Sequence, residues 1–158
     1  MKIEFVVIGE PAPQGSKSYV GKTKEGRAIL KESSKKVKPW RQDVADKASR
    51  MRTLIVGQVL HFDGPLRVSM VFTLKKPLSA PKRKRTWPDK KPDLSKLVRS
   101  TEDALVTAGL IADDARIVEL TAQKIFLGEG DPPIEGCGAR ISIENIDESK
   151  SPITRLPG

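Results

Sequence analysis

Four side chains of complementary chemistry recur along one short stretch. Asp93, Lys96, Arg99 and Asp103 are separated by three, three and four residues, and the pair Asp113–Asp114 follows. Residues three or four apart on a helix share a face, so the first four form one polar ridge. Carboxylates are what a hard divalent cation takes as ligands. Mg²⁺ keeps several of its waters, so two or three protein carboxylates suffice. Lys and Arg beside them can hold a phosphate. Groups for a cation and groups for a phosphate, side by side, point to metal-dependent phosphodiester hydrolysis rather than binding alone. Each residue also has a plainer role: Asp93 after Pro92 as a helix N-cap, Asp113–Asp114 as turn residues, Arg99 and Asp103 as a solvated ion pair. The case rests on their combination.

These residues need elements to hold them. Asp93–Ala108 reads as a helix with Leu94, Leu97, Val98, Thr101, Ala104 and Leu105 facing inward, and Gly109 suits its C′ position. Ala115–Leu127 reads as a strand, which could fold back and return Asp114 toward the Asp93 end. Upstream, Lys2–Ile8 reads as a strand. Pro39 opens a helix to about Leu54 on which Trp40, Val44, Ala48 and Met51 make an apolar face, with Trp40 expected in the core. Pro65–Lys75 alternates through Leu66, Val68, Met70, Phe72 and Leu74, a strand with one buried face. Cys137–Ile146 is a last strand. The expected fold is α+β: a single domain over 1–147 in the order β-α-β-α-β-β, a mixed sheet of about four strands packed against two helices, with long basic loops. Residues 148–158, polar and proline-containing, read as a flexible C-terminal tail.

Charge narrows the partner. The 158 residues carry 29 Lys and Arg against 20 Asp and Glu, a net charge of +9. Such a balance favours a polyanion, nucleic acid before anionic membrane. The cations concentrate in two segments. Gly9–Lys38 is punctuated by glycine and proline, with Ala28–Leu30 a possible short strand. Lys75–Lys91 holds eight Lys or Arg and reads as an exposed loop. Lys17, Lys22, Lys82, Arg83, Lys84, Arg85, Lys90 and Lys91, with Lys96 on the ridge, are the candidate DNA-backbone contacts. Trp87, in the second loop, can stack on an opened base or pack against its own loop.

Other chemistries are disfavoured. GSKSYVGKT places five residues between Gly15 and Gly21 where a phosphate-binding loop needs four, so no nucleotide cofactor is expected. The single Cys137 permits no internal disulfide and no Cys-rich zinc site. The single His61, read as a loop residue before a strand, has no triad-like surroundings. MKIEFVVIGE is too short an apolar run for a signal peptide, and no stretch is long enough to span a membrane. The expectation is a cytoplasmic protein.

The stretch PDLSKLVRSTEDAL…GLIADDARI resembles the RusA family of Holliday junction resolvases, found in bacteria, their phages and prophages. The shared pattern is Asp-x-Asp at a helix start, a Lys four positions on, Asp-Ala-Leu, then Asp-Asp before a strand. EPAPQGSKS and VKPWRQDV extend the likeness toward the N-terminus. The resemblance implies that Asp93 and Asp114 bind the metal, with Asp113 adjacent. It makes Asp93, Asp114, Arg99 and Asp113 the catalytic set, with Ser95 and Asp103 in outer-shell positions. It further implies Mg²⁺ (or Mn²⁺) and a homodimer whose two sites nick opposed strands of a four-way DNA junction in recombination and repair. Two positions depart from the pattern. Ser95 replaces the second Asp and supplies no carboxylate, and Arg99 replaces the Lys, keeping the charge with a different geometry. Two further readings therefore stand beside the nuclease: a non-catalytic branched-DNA-binding protein with an impaired metal site, and, on charge alone, an RNA-binding structural protein.

Overall fold

In this computed structural model, residues 1–15, 17–32, 35–130 and 132–157 are described, with 17–20 and 29–32 described by backbone only. The apolar run Lys2–Ile8 forms β1. The basic segment after it holds a hairpin, β2 (Lys17–Lys22) and β3 (Ala28–Glu32). Helix α1 (Val37–Arg52), β4 (Gln58–Leu60) and β5 (Leu66–Leu74) follow. Then come α2 (Leu94–Thr107), a short 3-10 turn at Asp114–Arg116, β6 (Ile117–Phe126), β7 (Gly138–Asn145) and β8 (Ile153–Arg155).

The main sheet runs β1-β7-β5-β6. β5 pairs antiparallel with β7 and parallel with β6. Parallel neighbours need a crossover rather than a hairpin, and the basic loop plus α2 supply it. The alternation in β5 is realised: Leu66, Val68, Met70 and Phe72 are buried on the face that the helices cover. They meet Phe5 and Val7 of β1, Ile141 and Ile143 of β7, and the apolar stripes of α1 and α2 in one core. The opposite face carries polar groups, such as Arg67 bridging Glu119 at 2.8 Å and Glu144 at 3.1 Å across three strands. A sheet covered on one side only allows this division.

The two helices pack on each other through Trp40, which is fully buried. Its indole N–H donates to Thr101 Oγ1 at 3.2 Å, the partner a buried indole requires. Gly109 follows α2 at φ +75°, the left-handed conformation that lets a helix end without a Cβ penalty. Together these place the start of α2 beside the basic loop and its end beside the turn into β6.

Two expectations about loops change. The segment after β1 is more ordered than expected: the short strand anticipated at Ala28–Leu30 lies within β3, which pairs with an unanticipated β2 in a hairpin. The segment 148–158, expected to be a flexible tail, contains β8, which pairs antiparallel with β4 from Gln58↔Arg155 to Leu60↔Ile153. Pro152 is buried there. A three-residue strand has little periodicity of its own, and this one depends on a partner far away in the chain.

Candidate active site

Asp93 occupies the N-cap position of α2, but its side chain makes no capping hydrogen bond. Its carboxylate instead lies 3.5 Å from Lys96 Nζ, both side chains about half exposed. The acid is thus not committed to the backbone and can reach a ligand from solvent. Ser95, Lys96 and Arg99 are exposed on the same first turns. The EPAPQG segment braces this end of the helix: Ser100 Oγ donates to Ala12 O at 2.7 Å, and Gln14 N–H donates to Lys96 O at 3.0 Å. Lys124, reaching across from β6, donates to the carbonyls of Lys90 and Pro92 at 2.9 Å each and fixes the chain just before Asp93.

A second acidic group gathers at the other end of α2. Asp103, Asp113 and Asp114 line a groove of about 380 Å³ together with Arg41 and Thr107. Asp113 caps the 3-10 turn, accepting from Ala115 N–H at 2.8 Å. That bond, aided by one from Asp114, holds the Asp113 carboxyl below the usual range. Asp114 is pushed the other way, by its hydrogen bond to Asp113, by partial desolvation and by the charges of Asp113 and Asp103. Glu102 is raised to about 7, first by burial, then by Asp114 and Asp103, against the opposing pull of Arg99. Arg41 of α1 lies 3.9 Å from Asp103. Negative charge in this groove exceeds the positive charge provided for it, and it adds to the upward shifts of Asp114 and Glu102. A divalent cation would satisfy the same imbalance.

The structure brings Asp113, Asp114 and Asp103 together but does not bring Asp93 to them. Asp93 and Asp103 are ten residues apart on a helix that rises 1.5 Å per residue, about 15 Å. The return strand gives the same answer. Lys124, which touches Pro92, lies seven residues beyond the start of β6, about 23 Å at 3.3 Å per residue. The strand does fold back as expected, but Asp114 stands before its first residue, so it stays at the C-terminal end of α2. Among the described residues no three His, Cys, Asp or Glu side chains of one chain are grouped to hold a metal ion. The ridge also divides: Asp103 pairs with Arg41, while Arg99 acts on Glu102.

Glu102 and Arg41 were missed as site residues. Glu102 was passed over although it stands three residues after Arg99, the ridge's own spacing; its burial is what the sequence did not show. Arg41 comes from another helix. The one available signal was the likeness at VKPWRQDV, which contains it.

The candidate DNA contacts Lys22, Lys82, Arg83, Lys84, Arg85, Lys90, Lys91 and Lys96 are all exposed. Lys17 lies in β2, and its side chain is outside the described residues. The second basic loop is better anchored than its composition suggests. Lys76 donates to Lys84 O at 2.9 Å and pairs with Glu129 at 2.6 Å, both side chains largely buried. Pro88 is buried. The Arg85 guanidinium sits 4.5 Å from the centre of the Trp87 ring.

No described helix is long and apolar enough to cross a membrane. Compared with known proteins, the chain matches a family model, Endodeoxyribonuclease RusA, over residues 9–135. No curated protein matches it.

Proposed function

The chain belongs to the endodeoxyribonuclease RusA family, and from that premise we propose that it is a metal-dependent endonuclease that resolves four-way DNA junctions as a homodimer. The observation that carries this reading is the placement of an uncommitted Asp93 carboxylate at one end of α2 and the crowded Asp113–Asp114 pair at the other. Both are exposed. One cation can take both as ligands only if they come from different chains. A pair of chains related by a two-fold would supply two such composite sites, one for each of two opposed strands.

The residues fit a hard oxygen-seeking cation. Asp114, through its hydrogen bond to Asp113 and partial desolvation, and Glu102, through burial, hold protons more tightly than ordinary carboxyls, and the neighbouring acids add to both. Asp93, Asp113 and Asp114 would be its ligands, with the Ser95 hydroxyl or a water in place of a third carboxylate near Asp93. Bound there, Mg²⁺ or Mn²⁺ would supply Lewis-acid charge at the phosphate and a more acidic water. Arg99 and Lys96, exposed on the first turns of α2, offset the charge that builds on the phosphate. Asp103, paired with Arg41, positions the groove. The exposed cations of the two basic segments grip backbone phosphates without reading sequence. Recombination and repair are the processes such a reaction serves, in a bacterial or phage-infected cytoplasm.

The test uses a labelled synthetic four-way junction with Mg²⁺ or chelator, beside linear duplex of the same sequence. Paired nicks near the crossover that require metal are expected. Asp93→Asn and Asp114→Asn should each abolish them. Mixing those two variants should restore nicking at one of the two sites, because one composite site of the mixed dimer keeps both acids. No restoration in a demonstrated mixed dimer would refute the two-chain site. A second reading, a branched-DNA binder without catalysis, is favoured by Ser95. Tight junction binding with no cut under either metal would select it.

A further inference from the structure

A cavity of about 710 Å³ lies under the second basic loop, against the ends of β5 and β6. Its lining divides by chemistry. Buried Pro11, Pro88 and Phe126 and half-buried Leu74 give apolar walls. Trp87, Lys90 and Lys91 line it as exposed residues, the aromatic surface and the cations facing solvent. Thr86 also lines it, and its hydroxyl oxygen is buried with no hydrogen-bond partner. A buried, unpaired hydroxyl is costly, and a ligand that bonds to it removes the cost.

The cavity is built in advance. Lys76 closes the base of the loop through Lys84 O and Glu129, and Lys124 holds Lys90 and Pro92. Arg85 stacks over Trp87 and restrains the ring. Trp87 thus packs against its own loop, yet 54 % of it stays exposed. Pro92 lines the cavity and Asp93 follows it directly, so the cavity adjoins one end of the candidate active site.

Flat apolar walls, one aromatic plate, one unpaired polar group and cations at the edge are what a nucleobase with its flanking phosphates requires. We propose that this cavity receives a single unstacked base of the DNA substrate, with Trp87 as stacking surface and Thr86 as hydrogen-bonding partner. The proposal rests on the branched-DNA reading, since the crossover of a junction is where a base leaves its stack at least cost.

The test uses the full chain in chelator, so that binding is read without cleavage. Four-way junctions carry the fluorescent base aminopurine at one position each around the crossover. Emission should change on binding at one position and not at its neighbours, since leaving the base stack and stacking on the Trp87 indole both alter it. Ala80→Phe, which puts an aromatic ring into the cavity, should diminish that local change. Trp87→Ala should weaken junction binding on the order of tenfold, and the near-isosteric Thr86→Val by about two- to tenfold. The proposal is overturned by a uniform emission change, by a local change undiminished by Ala80→Phe in a folded variant, or by unchanged affinity in both Trp87→Ala and Thr86→Val. Cleavage with Mg²⁺ is scored separately. A chain that fails to cut yet shows the local change keeps the base site and loses the nuclease. A chain that cuts without it loses the base site alone.

Discussion

Replacing Glu102 by Gln should make the protein more stable in mild alkali and leave it nearly unchanged in acid. Glu102 is raised to about 7 from an ordinary 4.5, with burial the largest cause, then the charges of Asp114 and Asp103. Going from 4.5 to about 7 corresponds to about 3.4 kcal/mol. Glu102 is only partly buried, and solvent screening reduces that to about 1–2 kcal/mol. The folded state binds this proton more tightly than the unfolded chain does. The stabilisation is therefore fully present below the unfolded value and is lost as pH rises through about 7. Gln has the same shape and no ionisation, so it keeps at high pH what Glu loses. Thermal denaturation in chelator should show near-equal melting at about pH 5 and a gain of about 2–8 °C for Glu102→Gln at about pH 8.5, for a chain of this size. Asp114→Asn should flatten part of the same pH dependence in the parent, because it removes one of the charges opposing ionisation. Parallel melting curves for parent and Glu102→Gln across the range would refute the crowded-charge account of this groove.

Ser95→Asp should raise cleavage at low Mg²⁺ by restoring a carboxylate near Asp93, and a metal titration of initial rates checks it; an unchanged curve would mean that another ligand fills the place. Lys76→Met should cost about 2–3 kcal/mol in chemical denaturation, since it leaves Glu129 largely buried without its partner and frees the Lys84 carbonyl. A cost near zero would show that the basic loop is not anchored there. Neutralising Lys82, Arg83 and Lys84 together should lower the salt dependence of DNA binding by roughly one unit of slope for each phosphate no longer gripped. Measuring affinity at several salt concentrations would expose the opposite case, an unchanged slope.

Much of the scaffold was legible because it obeys simple periods. The apolar alternation of β5 and the inward stripe of α2 follow from the patterns of Leu66–Leu74 and Leu97–Leu105, and both are buried as those patterns require. Trp40 lies in the core for the same reason. What escaped had no local signal. β4 and β8 are three residues each and exist only through their pairing. The loop after β5 reads as solvated because its side chains are mostly cationic. Its anchoring depends on Lys76 and Lys124 spending their charge on carbonyls and on one buried carboxylate, which composition does not distinguish from exposure.

The candidate site follows a different logic. Residue types and spacing single out Asp93 and Asp113–Asp114, and the same spacing is compatible with two opposite placements. If Asp114 ended the return strand it would lie near Asp93; because it precedes β6, the helix and the strand both hold the two apart. Twenty-one residues separate them in either case. Asp114 lies in the 3-10 turn that Asp113 caps through Ala115, the next element after α2, so the strand carries the chain back only after Asp114 has been placed. Asp113→Ala should loosen the turn and let Asp114 ionise at lower pH, while Asp114→Asn should bring Glu102 partway back toward its ordinary value. Carboxyl titration by NMR would read both shifts directly. If Glu102 stayed near 7 in the Asp114→Asn variant, the Asp114 charge would have no part in holding it there, and the groove would lose its claim as a cation-seeking cluster.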